Sequence, residues 1–460
     1  SDREGVFYSN GSGSYVTFPS SEYISYIDKL KWEMDKEQLT FGEKELNNSK
    51  GSKFISLNSD QDSLSFIASS ADYSLKDFII NAHGVDSLNI ADAVIFPDSG
   101  ELIVERGARI RTLNNSSLLL DPLIRYHSFN NATIDISSAN KYSASADYVY
   151  IDSLGNKQDI YFSEIIVNAD TITLATASVN EKKIFKIGNR YDFKGDIKIL
   201  GDRKNLTYNG FFKINHNCSN FSTQWIAFSS EIDPSDISFD LKEKLFSDTD
   251  DKLYSGIFYN KDSTIFYPTF ISTKKRAKDL EFFSATSSVY YNKSNSSYVI
   301  GGQDSVSNIL LLDEKTCTVS GDGMINLNLN LGRIKTQSVG KISNKNKNQL
   351  EIDGFLMFDF DFSKDAMEIM AQDIFSAPGE EIFEYNKDYE NNLSKLVGKD
   401  QKEDLMIDLE MNDAFEELPK SMNYTLSFTD LNLVWDKKNK AFVTKGNLGL
   451  GNIKNTQING

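Results

Sequence analysis

Residues 142–214 constrain what this chain can fold into more than any other stretch. Short extended segments at 148–151, 160–162, 165–167, 171–174, 197–200, 206–208 and 211–214 alternate with five breaks. The breaks are Leu154-Gly155-Asn156, Gly188-Asn189, Lys194-Gly195-Asp196, Gly201-Asp202 and Asn209-Gly210. Gly, Asn and Asp tolerate the positive φ of tight hairpin turns, so the stretch reads as a strand-turn array. Asp196-Ile197-Lys198-Ile199 buries its isoleucines, while Tyr148 and Tyr150 share one strand face and Val149 and Ile151 the other. Ile165-Ile166-Val167 is apolar on both faces, the mark of a central strand covered on both sides.

The array extends in both directions. Between 75 and 120, short apolar runs recur with Gly84, Gly100 and Gly107 at corners. That pattern fits rungs of a β-solenoid or an antiparallel meander. The segment 23–39, with Tyr23, Tyr26, Leu30 and Trp32 among charges, fits strands or one helix. Farther on, Leu327-Asn328-Leu329-Asn330-Leu331 alternates as a half-buried strand would, and Gly321-Asp322-Gly323 reads as a hairpin turn.

The period changes at Ser363, a good helix N-cap followed by Ala366, Met367, Ile369, Met370 and Ile374. Pro378 suits the first turn of a second helix. Its apolar stripe would be Ile382, Tyr385, Tyr389, Leu393 and Leu396, ending at Gly398. A third helix is expected over 401–418. The predicted fold is mainly β: an elongated stacked-strand body, β-solenoid or multi-sheet, with one α-helical insertion near the C-terminus. Five segments follow: an N-terminal β-rich stretch (1–74), a stacked-strand region (75–217), a second β region (218–362), the helical insertion (363–418) and closing strands (419–460).

Composition narrows the class. Thirty-one Phe and 21 Tyr against seven Pro suit sheets with polar outer faces. A net charge of -17 argues against a nucleic-acid partner, because phosphate binding needs a basic stripe. The densest basic run, Lys274-Lys275-Arg276, reads as a solvated loop. Apolar runs such as 309–312 and 355–358 are far too short for a membrane helix. The chain opens on Ser1-Asp2-Arg3-Glu4 and reads as a processed or excised piece of something longer.

Catalytic and cofactor patterns give little. His83, His127 and His216 are widely spaced, without His-x-His or His-x-x-x-His. Asp248-Thr249-Asp250-Asp251 lacks the Gly and Glu of a calcium loop, and Glu101 and Glu105 share a face as solvent-exposed pairs commonly do. No catalytic residue, cofactor or metal is expected. Trp32, Trp225, Trp435, Tyr148 and Tyr150 are candidates for stacking on a glycan, although strand aromatics more often serve the core. Cys218 and Cys317, 99 positions apart, fit one disulfide or two buried thiols.

Several phrases carry a resemblance. They are Asp92-Ala-Val-Ile-Phe-Pro-Asp-Ser-Gly100, Tyr126-His127, the run from Tyr148 to Gln158, Lys213-Ile-Asn-His-Asn-Cys218 with Gln224-Trp225, and Thr316-Cys-Thr-Val-Ser-Gly-Asp-Gly323. With Asn432-Leu-Val-Trp435 and Gly449-Leu-Gly-Asn-Ile453 they resemble a family of very long cell-envelope proteins of Bacteroidota bacteria. The resemblance implies an internal segment of such a protein in the periplasm or at the outer membrane, and it brings no catalytic residues with it. Some large envelope proteins of that phylum work with the Type 9 secretion translocon or other outer-membrane machines. The expected role is a non-catalytic scaffold or accessory subunit with other envelope proteins as partners. The stripe Ile382, Tyr385, Tyr389, Leu393 and Leu396 would be its docking face; the alternatives are a glycan-binding module and an unrecognised enzyme.

Overall fold

A computed structural model describes residues 3–8, 15–27, 29–42, 51–182, 184–241, 243–302, 304, 306–329, 331–346, 349–360, 362–376, 386–412, 415, 417–444, 449–453 and 456–457. It is a multi-sheet, mainly antiparallel β protein with three helices near the C-terminus. All the strand pairs described are antiparallel, for example Ser70–Ser74 with Ile79–His83 and Lys141–Ile151 with Lys157–Val167. Stacked solenoid rungs would pair in parallel, so the structure decides for stacked sheets. No helix among the described residues is long and apolar enough to cross a membrane. The chain forms two compact units: Ser1–Gly188 with Phe193–Gly210 and Ser229–Asp236, and Asn189–Asp192 with Phe211–Phe228 and Ile237–Gly460.

In the first unit, hairpins are dealt alternately to different sheets. Glu4–Tyr8, Lys29–Glu33, Gln38–Phe41, Ser70–Ser74, Ile79–His83 and Leu102–Val104 form a six-stranded sheet in that order. The hairpins Tyr15–Phe18/Tyr23–Tyr26 and Ser52–Ser56/Ser65–Ala68 make a four-stranded one. The segment 23–39 holds the strands Tyr23–Tyr26 and Lys29–Glu33 and the start of Gln38–Phe41, with one 3-10 turn at Met34–Lys36, and not one helix. Phe18 packs edge-on to Phe41 at 5.3 Å and meets Tyr73 at 4.8 Å across the two sheets, while Phe54 stacks on Phe66. Within Tyr23–Tyr26 the burial alternates, Tyr23 and Ser25 buried and Tyr26 exposed, the two-residue period of a strand.

A third sheet runs through Leu88–Ile90, Ala93–Phe96, Leu113–Leu120, Ser128–Ser138, Lys141–Ile151, Lys157–Val167, Thr173–Val179 and Tyr191–Leu200. Alternation along Ser128–Ser138 sends Phe129, Ala132, Ile134 and Ile136 inward and leaves Asn130 and Asp135 in water. Tyr150 is inward and buried while Val149 and Ile151 are exposed. Ile165 is fully buried but its neighbour Ile166 is 37% exposed, so this strand is covered on one face rather than two. Leu154-Gly155-Asn156 and Gly201-Asp202 are turns, as expected. Gly195 and Gly210 are not: they sit inside Tyr191–Leu200 and Leu206–Ile214. A Cβ on Gly195 would overlap the Asn209 carbonyl, and one on Gly210 the Lys194 carbonyl. These glycines permit close backbone approach between neighbouring strands.

The second unit repeats that device. Its main sheet runs Ser238–Leu241, Ser287–Asn292, Ser297–Gly301, Ile309–Asp313, Thr318–Ile325, Lys335–Asn346, Gln349–Asp359 and Leu426–Asp436. Gly340 (φ 150°) lies directly opposite Gly354, and a Cβ on Gly340 would overlap the Asp353 carbonyl. Gly340→Ala is expected to cost about 2 kcal/mol, because the residue must both leave an L-disfavoured conformation and push apart a pair of bonded strands. Urea unfolding of the variant checks this.

Gly321-Asp322-Gly323 lies within Thr318–Ile325 and is not a turn. The Phe283 ring occupies the space a Cβ on Gly321 would fill. Among the described residues of 327–331 there is no regular strand: Asn328 adopts φ 51° and donates to the Glu281 carbonyl, while Leu327 is buried and Leu329 exposed.

Gln349–Asp359 and Leu426–Asp436 pair directly, from Glu351 opposite Val434 to Phe358 opposite Leu426. The helices are thus an excursion from one hairpin. Helix α1 (Lys364–Phe375) is capped by Ser363 Oγ, which accepts from the Ala366 N–H. Helix α2 (Lys387–Val397) starts at Asn386, whose Oδ1 accepts from the Asp388 and Tyr389 N–H groups, and stops at Gly398. Helix α3 is Lys399–Asn412. Pro378 lies outside the described residues, and α2 is capped by a residue that the stripe alone did not single out.

Candidate functional site

In the first unit, the strand Leu102–Val104 and the strand Leu113–Leu120 belong to different sheets. An open groove of about 240 Å³ lies there, lined by Asp98, Ser99, Glu101, Ile103, Arg111, Thr112, Leu113, Asn114 and Ser116. Ile103 and Leu113 give it an apolar lining; the rest is polar.

Its polar groups are held from behind. Glu101 Oε2 lies 2.6 Å from His83 Nδ1, and His83 Nε2 lies 3.4 Å from Asp72 Oδ2. Asp72 Oδ1 in turn accepts from Thr40 at 3.0 Å. Arg111 donates through Nε to Glu105 Oε1 at 2.9 Å, and Thr112 donates to Asp135. Glu101 and Glu105, noted as a shared-face pair, therefore each face a separate base. Ser99 (φ 53°) and Asn115 (φ 52°) turn the chain beside the groove in the left-handed region.

The second unit carries a different node. Cys218 and Cys317 are joined in a disulfide with their Cα atoms 5.3 Å apart. It ties the segment after Leu206–Ile214 to the turn that follows Ile309–Asp313. Around it, the His216 ring accepts from the Cys218 N–H, Asn220 donates to the Cys317 carbonyl, and Tyr298 OH donates to the Asn215 carbonyl at 2.7 Å. Arg190 pairs with Glu314 at 2.7 Å and lies 3.4 Å above the Tyr291 ring. Burial lowers the pKa of His216 and pushes that of Tyr298 up to about 12. The arrangement fastens four chain segments together, which is a structural task.

The helical stripe requires a correction. Tyr389, Leu393 and Leu396 are buried against Val339, Phe355 and Met357 of the sheet, together with Leu405, Leu409 and Met422. That face is the seam by which α2 and α3 sit on their own unit, so it is closed to a partner. Ile382 and Tyr385 lie outside the described residues.

The aromatic platform is likewise dispersed. Tyr150 is buried and donates to the Ile187 carbonyl at 2.6 Å, and Tyr148 packs on Phe129, Phe162 and His127. Trp435 sits among Tyr259, Phe266 and Phe442, and Trp225 is half-buried beside Lys213. Trp32 alone of the five is exposed, at 37%.

The acidic loop at 248–251 closes on itself: Ser247 Oγ accepts from the Thr249 and Asp251 N–H groups. Among the described residues, no group of three or more His, Cys, Asp or Glu is arranged to hold a metal. The basic run is not simply solvated. Lys274 lies over Tyr254 and Phe258, Lys275 over Tyr267, and Arg276 pairs with Asp262.

His127 is buried in the first unit, where its Nε2–H donates to the Arg203 carbonyl at 2.7 Å and Nδ1 faces Tyr148 OH. Burial lowers its pKa, outweighing the carbonyl contact. The unfolded chain, with a His pKa of about 6.5, therefore takes up the proton first on acidification. Stability from this site is full above that pH and falls as pH drops through the folded-state value. His127→Gln, which keeps a donor and does not titrate, is expected to flatten the fall in melting temperature between neutral and mildly acidic pH. The remaining slope would reflect His216 together with carboxylates whose pKa folding shifts, such as Asp152, Asp233 and Asp322, and thermal melts across pH check the difference.

The residues of the groove, Asp98, Arg111, Thr112 and Asn114, carried no sequence signal beyond the Gly corners at 100 and 107. They converge because Leu102–Val104 and Leu113–Leu120, which flank them, belong to different sheets. Comparison with protein-family models, with curated proteins and with solved structures finds no match.

Proposed function

We propose that this chain is a non-catalytic structural and interaction module of the bacterial cell envelope, a scaffold or accessory subunit of an outer-membrane-associated assembly. The observation that carries the reading is the Cys218–Cys317 bridge. Disulfides persist in oxidising compartments such as the periplasm and are rare where glutathione and thioredoxin keep thiols reduced. The bridge uses both cysteines of the chain and leaves no free thiol. A structural fastening suits a body whose sheets hold their shape while other surfaces engage neighbours. The resemblance to long envelope proteins of Bacteroidota points to the same compartment, and association with protein-secretion machinery rests on that resemblance alone.

Two measurements on native cells test the reading. Alkylation of intact cells should leave both cysteines unmodified until a reductant is added, and crosslinking followed by affinity purification from envelopes should recover other envelope proteins. Two freely alkylated thiols together with a cytosolic fraction would overturn it.

A further inference from the structure

We propose that the groove lined by Asp98, Glu101, Arg111 and Asn114 binds a neutral, hydroxyl-rich ligand: a monosaccharide unit, free or at the end of a longer glycan. This goes beyond the scaffold reading, and it uses none of the aromatic residues that the sequence offered for glycan stacking.

The argument begins with how the polar groups are held. Glu101 is fixed through Oε2 on His83, which leaves Oε1 to the groove. Arg111 is fixed through Nε on Glu105, which leaves its terminal nitrogens as donors. Thr112 donates its proton to Asp135 and keeps lone pairs that can accept. Each of the three is anchored by one atom and presents another. Such fixed placement lowers the entropy cost of binding. The Asn114 amide has no hydrogen-bond partner among the described residues, and Asp98 has only Ser99.

The chemistry of these groups selects the ligand class. Carboxylates accept from hydroxyls, while a guanidinium and an amide donate to them, so a diol can satisfy both kinds at once. Asp98 and Glu101 repel an anion, as does the net charge of -17, and Arg111 offsets part of their attraction for a cation. A neutral polyol meets no such penalty. Ile103, half-buried beside the buried Leu113, offers an apolar surface to the C–H face of a sugar ring. The volume, about 240 Å³, falls below the roughly 300 Å³ of the smallest drug-sized sites, which suits one sugar unit.

Saturation-transfer NMR on the intact chain tests this with glucose, galactose, mannose and N-acetylglucosamine as probes. At least one is expected to bind with a Kd of about 1 mM or tighter. Binding should weaken at least about tenfold in the Asp98→Ala/Asn114→Ala double variant, a loss of about 1.4 kcal/mol. Both side chains are exposed and make no contact that the fold depends on, and an unchanged melting temperature would confirm that the variant is folded. Silence with all four sugars overturns the proposal. So does binding that the double variant leaves unchanged, which would place the sugar elsewhere. Capture of a lysyl peptide with no sugar bound would overturn it in favour of a cation site.

Discussion

Replacing Cys218 and Cys317 together by alanine is expected to destabilise the second unit by about 4 kcal/mol. The bridge closes a loop of 99 residues. By loop-closure entropy a cross-link of that span restricts the unfolded chain by somewhat more, about 4.7 kcal/mol, and natural bridges deliver about 2–5 kcal/mol on removal. Both cysteines lie in one compact unit, so the loss should appear in that unit's unfolding more than in the other's. Urea denaturation followed by hydrogen exchange separates the two. Cys218 is only 1% exposed. Dithiothreitol should therefore reduce the bridge slowly in native buffer and quickly in denaturant. Equal stability of the double alanine variant would show that the Arg190–Glu314 pair and its neighbours hold these segments unaided.

The second large effect is expected at Leu393. This side chain is fully buried between α2 and the sheet, with Val339, Phe355 and Tyr389 in the same cluster. Leu393→Ala should cost about 3 kcal/mol, combining lost transfer energy with the cavity left behind. A docking face predicts the opposite pattern, in which the isolated protein keeps its stability and only partner binding falls. Lys341→Ala, which breaks the exposed ion pair with Asp388 at 2.7 Å on the same seam, is the contrast. Exposed pairs contribute about 0–1 kcal/mol, so its midpoint should barely move. Comparable losses from the two variants would argue that the seam is held by charge and not by packing.

These two cases show what was legible beforehand. The helices could be read because caps and apolar spacing are local: Ser363 and Gly398 stand where the structure puts helix ends. What covers the apolar stripe could not be read. A helix shows the same period whether its partner is its own sheet or another protein. The two cysteines posed a similar choice, since spacing alone does not fix the distance that folding brings to 5.3 Å.

The glycines mark the same boundary between local and tertiary information. Gly155 and Gly201 are turn residues, as their neighbours suggest, while Gly195, Gly210, Gly321 and Gly340 lie inside strands. A missing Cβ serves a turn by freeing φ, and it serves a strand by admitting a carbonyl or the Phe283 ring. Both uses leave one letter in the sequence.

From sequence alone, two-residue alternation and turn chemistry determined a strand-rich body, and a change of period at Ser363 determined the helices. Both are properties of neighbouring residues. Only tertiary structure decided that the strands stack as antiparallel sheets and not as solenoid rungs. It alone decided that α2 faces inward, that Cys218 meets Cys317, and that Asp98, Glu101, Arg111 and Asn114 line one groove. Each of these depends on which distant segments pack together, and burial of apolar side chains such as Phe18, Phe355 and Leu393 selects that packing.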